Sequence, residues 1–321
     1  MAAYMFGDLS SKLESAIAAL SERSERLQAD EGLSVRLSEI IDELHQRRPE
    51  NEIGLNEPIR TIHHFSCTGG TLIARCVEAM PNTILLSEVD PFSELTLKNA
   101  AFAPHDIIKL AQIGIRPLSA DGVEDVFLGA LKSMKAASTK KGRHLVLREH
   151  THSQFCLNSE PGGRPLLCDI LAKNFHVICL LTVRHPLDSY ISLKKNGWVS
   201  FLPDTLDEYC RRYSLFLDSY DDAPIVRYED FVDNPDGQLK RITKILSLAY
   251  FERWRELLPV IKMTGDSGRK GAKIERRDRR SVGAPTIEEC SNSKFYWDLC
   301  NRLGYIADPE SPPLETDIVV K

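Results

Sequence analysis

Residues 176–183, HVICLLTV, form an apolar, β-branched-rich run with no polar residue at alternate positions. A strand with one wet face alternates. A run that does not belongs in the middle of a sheet covered on both faces, the usual condition of a parallel sheet. Four further β-rich runs, RTIHHF, TILLSEV, RHLVLREH and PIVRYEDF, are separated by stretches of helical character. Strands alternating with helices predict an α/β fold, a central parallel β-sheet flanked by helices.

The first 57 residues read differently. Leu9, Leu13, Ile17 and Leu20 recur at helical spacing, as do Leu37, Ile40, Ile41 and Leu44, with Asp30-Glu31-Gly32 between the two runs. This predicts an N-terminal helical hairpin over 1–57, packed on the α/β domain (58–321) or on a partner, and it offers a surface for a homodimer. Residues 262–285 are polar and rich in glycine and arginine, which predicts a loop.

Composition narrows the function classes. The chain of 321 residues carries 41 Lys and Arg against 46 Asp and Glu, a net charge of −5, so no general affinity for nucleic acid is expected. No apolar run approaches the roughly 20 residues of a membrane span. The N-terminus turns polar within ten residues and lacks a basic leader, so no signal peptide is expected. The eight cysteines are scattered without a C-x-x-C pair, which suggests neither a zinc nor a dithiol motif, and no metal. Reduced thiols in apolar runs fit a cytoplasmic protein.

Two segments carry chemistry. In HHFSCTGGTLIARC (63–76) a β-rich run ends in a small-residue turn and passes straight into a helix. Such a turn, Thr68 to Leu72, presents backbone N–H groups and a partial positive charge to an anion. Gly69 and Gly70 allow close approach, and Thr68 and Thr71 can add hydroxyl donors. The turn lacks the lysine of a Walker A loop, which removes much of the cradle for ATP and magnesium. The second segment, RHPLDSYIS (184–192), follows the buried run. Arg184 falls at a strand end, Pro186 suits the first turn of a helix, and Asp188 and Ser192 share a helix face. Arg184 and Ser192 can close on one phosphate from two sides.

These segments resemble the sulfotransferases that use 3′-phosphoadenosine 5′-phosphosulfate (PAPS), the P-loop sulfotransferase fold. Their second motif places an arginine, a proline, an aspartate and a serine at the spacing of Arg184, Pro186, Asp188 and Ser192. SCTGGTL matches their first motif loosely. VRYEDFVDNP resembles a later strand-end segment, and GDSGRKG resembles a late loop. The resemblance spans roughly residues 58–285. It implies that the turn holds the 5′-phosphosulfate and that Arg184 and Ser192 hold the 3′-phosphate. It places Tyr228 near the adenine and closes Arg269, Lys270 and Gly271 over the 3′-phosphate. Residues 269–280 hold seven basic against two acidic side chains, a balance suited to a bisphosphorylated ligand.

One departure stands out, because Cys67 occupies the place where the family usually has lysine or arginine. Arg148, in LVLREHTH, is the best substitute for that charge. Arg75 lies a helical turn beyond Thr71 and reads as a surface arginine. For the base that takes the proton of a hydroxyl acceptor, His150 aligns with a histidine of the cytosolic branch, with His152 two residues on. Glu88, in ILLSEVDPF, aligns with the glutamate base of other branches, while Asp90 reads as a cap. Catalytic candidates are therefore His150, Glu88 and Arg148. The implied reaction transfers a sulfuryl group from PAPS to a hydroxyl of a small molecule or carbohydrate, leaving adenosine 3′,5′-bisphosphate, with no metal. Segments 92–140 and 156–170 are the candidate acceptor pocket, and Trp198 a candidate aromatic wall. A phosphotransferase or kinase on the same fold, and a non-catalytic nucleotide-binding protein, remain alternatives.

Overall fold

The computed structural model describes residues 39–40, 43, 57–93, 106–113, 115–261, 274–276 and 279–314. The expected N-terminal hairpin, apart from residues 39, 40 and 43, lies outside the described residues, as do Arg269, Lys270 and Gly271. The chain divides into two compact units, residues 1–48 and 49–321. The architecture below belongs to the second.

Five strands form one sheet: β1 (Ile59–His64), β2 (Thr83–Val89), β3 (His144–Glu149), β4 (Val177–Val183) and β5 (Ile225–Arg227). Their spatial order is β2-β3-β1-β4-β5, and every neighbouring pair is parallel. The α/β expectation is borne out. The chain leaves β1 towards β2 on one side and leaves β4 towards β5 on the other. The order therefore reverses between β1 and β4, and the crevice beyond the carboxyl ends of such a pair is where open α/β sheets bind ligands.

Helices cover both faces. The alternation of side chains along β1, β3 and β4 sends Ile59, Leu145, Leu147 and Leu181 to one face. There α3 (Ala120–Thr139), α5 (Leu167–Ala172) and α7 (Leu206–Asp218) bury them. On the other face lie α1 (Gly70–Glu78) and α9 (Pro235–Ile245), with Ile73, Ala74, Leu239 and Ile242 buried. Between α1 and α3 runs α2 (Ile107–Gln112), and between β3 and α5 the single turn α4 (His152–Phe155). Pro186 opens α6 (Pro186–Lys195), where its missing N–H costs nothing. Helices α8 (Tyr228–Asp233), α10 (Trp254–Leu257), α11 (Ala284–Asn292) and α12 (Lys294–Leu303) complete the described set.

Three details differ from the sequence reading. PIVRYEDF is strand only to Arg227; the chain turns at Tyr228 directly into α8. The β3 strand stops at Glu149, so His152 sits on a helical turn and not on a continued strand. In β4 only Leu180–Val183 are fully buried, while Val177, Ile178 and Cys179 keep partial exposure.

Candidate active site

The turn after β1 is held from below by aromatic packing. Phe65 stacks on Tyr213 with centroids 4.5 Å apart, and the Tyr209 hydroxyl donates to the Ser66 carbonyl at 3.0 Å. Above that anchor the backbone takes two left-handed residues, Cys67 (φ 65°) and Gly69 (φ 85°). Space as well as conformation demands glycine here. A Cβ on Gly69 would stand 2.2 Å from Cδ2 of Tyr228, and one on Gly70 would stand 2.4 Å from Cγ of His64. Helix α1 begins with no side-chain cap and no acidic residue in its first turn. The positive end of its dipole is left without an internal counter-charge.

The two threonines do different things. The Thr68 hydroxyl, fully buried, donates to the Phe65 carbonyl at 2.7 Å and so braces the turn. It does not offer itself outward as the sequence suggested. Thr71 accepts a hydrogen bond from Arg148 Nη1 at 2.8 Å.

The charge missing from the turn stands on both sides of it. From β3, Arg148 reaches Thr71 and pairs through Nη2 with Glu88, its side chain almost wholly buried. From the end of β4, Arg184 Nη1 donates to the Cys67 carbonyl at 3.4 Å, and its guanidinium lies 4.9 Å from the centroid of the Tyr228 ring. Because β3 and β4 flank β1 in the sheet, the lysine-free loop lies between two arginines, one from each neighbouring strand. Arg184 Nε is buried and has no hydrogen-bond partner among the described residues. A buried, unsatisfied guanidinium donor is costly unless a ligand completes it, so this side chain fits an anionic group.

Along α6, Asp188 forms an ion pair with Arg279 at 3.0 Å, and Ser192 Oγ accepts from Arg280 Nη1 at 3.3 Å. The shared helix face of Asp188 and Ser192 is thus met by two consecutive arginines. Arg280 is a site candidate that sequence reading counted only within a basic stretch. Arg75 faces away, donating to the Leu258 carbonyl at 2.7 Å.

A histidine cluster adjoins Arg148. Glu88 sits at an irregularity of the β2–β3 register in a left-handed conformation (φ 61°), uncommon for a side chain that is not glycine. Its carboxylate engages Arg148 and lies 3.3 Å from His150 Nε2. The His150 and His152 rings lie near-parallel, 6.3 Å apart, and His152 Nδ1 is 2.6 Å from Ser66 Oγ. Burial, then the Arg148 and Arg164 charges, pull His150 below its ordinary pKa against the opposing pull of Asp90. Burial, then His150, take His152 down to about 4. His64, packed against Gly70, is also held well below its usual value by burial and by Arg148. These imidazoles are neutral at pH 7. His64 and Ser66 went unsingled in the sequence, although the pair HH at the end of the first strand marked the spot.

Asp90 is structural. Arg164 grips it with two bonds of 2.6 Å, and Ser153 donates to it as well. Beside Asp90 opens a cavity of about 190 Å³ lined also by Pro91, Ser93, Asp106, Lys109 and Phe127, the last four of them within the segment 92–140 expected to form an acceptor pocket. Trp198 is 43 % exposed.

No protein-family model and no curated protein matches the chain. Among solved structures it is similar to the sulfotransferase domain of the Synechococcus olefin synthase, at 17 % identity over 81 % of this chain and 98 % of that one, TM-score 0.48. It is also similar to a sulfotransferase of Alicyclobacillus acidocaldarius (12 % identity, 64 % and 91 %, TM-score 0.36). A third is a mouse sulfotransferase complexed with PAP (14 % identity, 80 % and 95 %, TM-score 0.34). The architecture above stands on strand order and connections alone, independent of these likenesses.

Proposed function

We propose that the chain is a sulfotransferase that moves a sulfuryl group from PAPS to a hydroxyl of a small molecule or carbohydrate. The observation that carries this reading is the pair of arginines, Arg148 and Arg184, on either side of the lysine-free turn. Sulfuryl transfer needs fixed cationic donors where negative charge builds on the leaving phosphate, and a base for the acceptor hydroxyl. When bound, PAPS supplies the sulfuryl group and the leaving bisphosphate.

The chain's own residues divide that work. The N–H groups at Gly69, Gly70 and Thr71 bind the 5′-phosphosulfate at the start of α1, with Arg148 beside them; the Leu72 N–H, also expected there, is taken by the Gly69 carbonyl at 3.0 Å. Arg184, Ser192 and Arg280 bind the 3′-phosphate; the resemblance also assigns Arg269, Lys270 and Gly271 to that group, and these lie outside the described residues. Tyr228, packed on Gly69 and under Arg184, holds both and borders the adenine. His150, neutral and set beside Glu88, accepts the proton of the acceptor hydroxyl. Glu88 is a positioning residue that fixes His150 and Arg148 through one carboxylate. The eight free cysteines suit a reducing cytoplasm.

The test is transfer itself. The purified chain is incubated with PAPS and a panel of phenols, steroids, alkanols and sugars, and products carrying one added sulfuryl group are sought by mass spectrometry. Sulfated product from wild type, with kcat lowered about 100- to 1,000-fold in Arg148→Ala, is expected, the loss typical of one removed transition-state donor. Unchanged turnover in Arg148→Ala would refute the assignment of that arginine.

A further inference from the structure

The same alternation that turns His64 and Arg148 towards one face turns His63 and Glu149 to the other. On that face His63 meets two cysteines remote from it in sequence, Cys168 on α5 and Cys179 on β4. Cys168 Sγ lies 3.0 Å from His63 Nε2 and 3.0 Å from Cys179 Sγ. The three donor atoms all lie within 4.8 Å of one another.

The imidazole is held from behind. His63 Nδ1 is 2.5 Å from Glu149 Oε2, and the same carboxylate accepts from the Tyr220 hydroxyl at 2.5 Å and from the Leu167 backbone N–H at 3.2 Å. The Tyr220 ring packs over His63 with centroids 4.4 Å apart. Nδ1 therefore keeps its proton towards Glu149, the ring cannot turn, and Nε2 is presented to the two sulfurs. A carboxylate fixing the far nitrogen of a histidine is the recurrent outer support of metal-binding imidazoles. A buried His–Glu pair flanked by two thiols is expensive to desolvate.

We propose that His63, Cys168 and Cys179 form a binding site for one cation of the zinc class, with Glu149 positioning His63. Two thiolates and an imidazole select a borderline or soft cation and not magnesium or calcium, which take oxygen ligands. The two thiolates also cancel the charge of a divalent ion. Zinc–sulfur bonds of about 2.3 Å set two sulfurs about 3.8 Å apart, so the pair has to open by less than 1 Å. Both cysteines keep partial exposure, which gives the ion a way in. Thr61 Oγ1 lies 2.8 Å from His63 Nε2, with the Ile178 carbonyl at 3.3 Å as an alternative acceptor, so its hydroxyl can swing aside when Nε2 takes a metal. The site ties α5 to β1 and β4 on the sheet face opposite Arg148, a clamp behind the candidate active site.

The experiment is a cobalt(II) titration of the untagged full-length chain, reduced and stripped with a chelator, followed by absorption spectroscopy. Thiolate-to-cobalt charge transfer and intense tetrahedral visible bands that saturate at one equivalent, and that zinc(II) displaces, are expected. Cys168→Ser and Cys179→Ser lose the bands and Cys67→Ser keeps them. Glu149→Gln keeps the bands with affinity about 10- to 100-fold weaker, the usual cost of removing such a support. The wild-type titration needs no variant to fold: absence of thiolate bands at saturating cobalt overturns the proposal. So does their survival in Cys179→Ser, or a Cys168–Cys179 disulfide that forms in place of metal binding.

Discussion

In the proposed reaction His150 is the residue on which the chemistry turns, and its environment sets the pH at which it can work. A free imidazole titrates near pH 6.5; burial and the neighbouring arginines lower this one. The base form is the neutral ring, so activity falls as pH falls, and kcat/KM is expected to lose half its value at a pH below about 6.5. An acid limb centred above that value would show that His150 is not the base. Glu88→Gln separates positioning from base catalysis. It removes the charge beside the imidazole and frees Arg148, so both the midpoint of the limb and kcat are expected to move. A merely structural Glu88 would leave the midpoint in place. Of the residues in the site, Arg184, Ser192 and the glycines were legible because they sit at fixed spacings beside a strand and a helix start. The inward turn of the Thr68 hydroxyl is not written in the sequence, since which way a turn hydroxyl faces depends on the tight backbone it braces. Arg280 was hidden because a basic stretch in sequence does not say which of its members reaches Ser192.

At the scale of elements, the turn between β1 and α1 works because two side chains fill the space that Cβ atoms would occupy. Tyr228 comes from the β5–α8 junction and His64 from the end of β1. Gly69→Ala places a methyl inside the Tyr228 ring and asks an ordinary residue to adopt φ 85°. Strain of this kind costs about 1–3 kcal/mol, so the variant is expected to melt lower and to bind nucleotide more weakly as Tyr228 is pushed off Arg184. Wild-type melting and affinity in Gly69→Ala would show that the contact is slack. The strands themselves could be read from the sequence, HVICLLTV most directly, because burial on both faces removes the polar alternation. The meeting of His63, Cys168 and Cys179 could not. It depends on β-strand parity, which puts His63 and Cys179 on one face, and on the path of α5 across that face. Cysteine spacing along the chain carries neither fact, so the scattered cysteines gave no metal motif. The bulge at Glu88 was equally silent, since a left-handed glutamate is imposed by the β2–β3 register.

At the scale of the whole molecule, four histidines among the described residues, His64, His150, His152 and His185, are held below their ordinary pKa, chiefly by burial, with His152 and His185 each at about 4. An unfolded chain protonates them near pH 6.5, so between that pH and about 4 it binds more protons than the folded chain. Stability contributed by the neutral rings is present above pH 6.5 and drains away as pH falls through this window. Glu78 and Glu229, raised by burial, oppose the trend but are two groups against four. Thermal melting is expected to decline already between about pH 6.5 and 5, before ordinary carboxylates titrate. A flat profile there would contradict the neutral burial of the cluster. The central claim, that the crevice between β1 and β4 is built for a nucleotide bearing phosphates at both the 3′ and 5′ positions, has a more direct test. Calorimetric titration with adenosine 3′,5′-bisphosphate, 5′-AMP and ATP with magnesium should show tight binding of the bisphosphate only, and in Arg184→Ala the bisphosphate should fall to the level of 5′-AMP. Binding of ATP with magnesium in preference to the bisphosphate, or an Arg184→Ala variant that still distinguishes the bisphosphate from 5′-AMP, would contradict it.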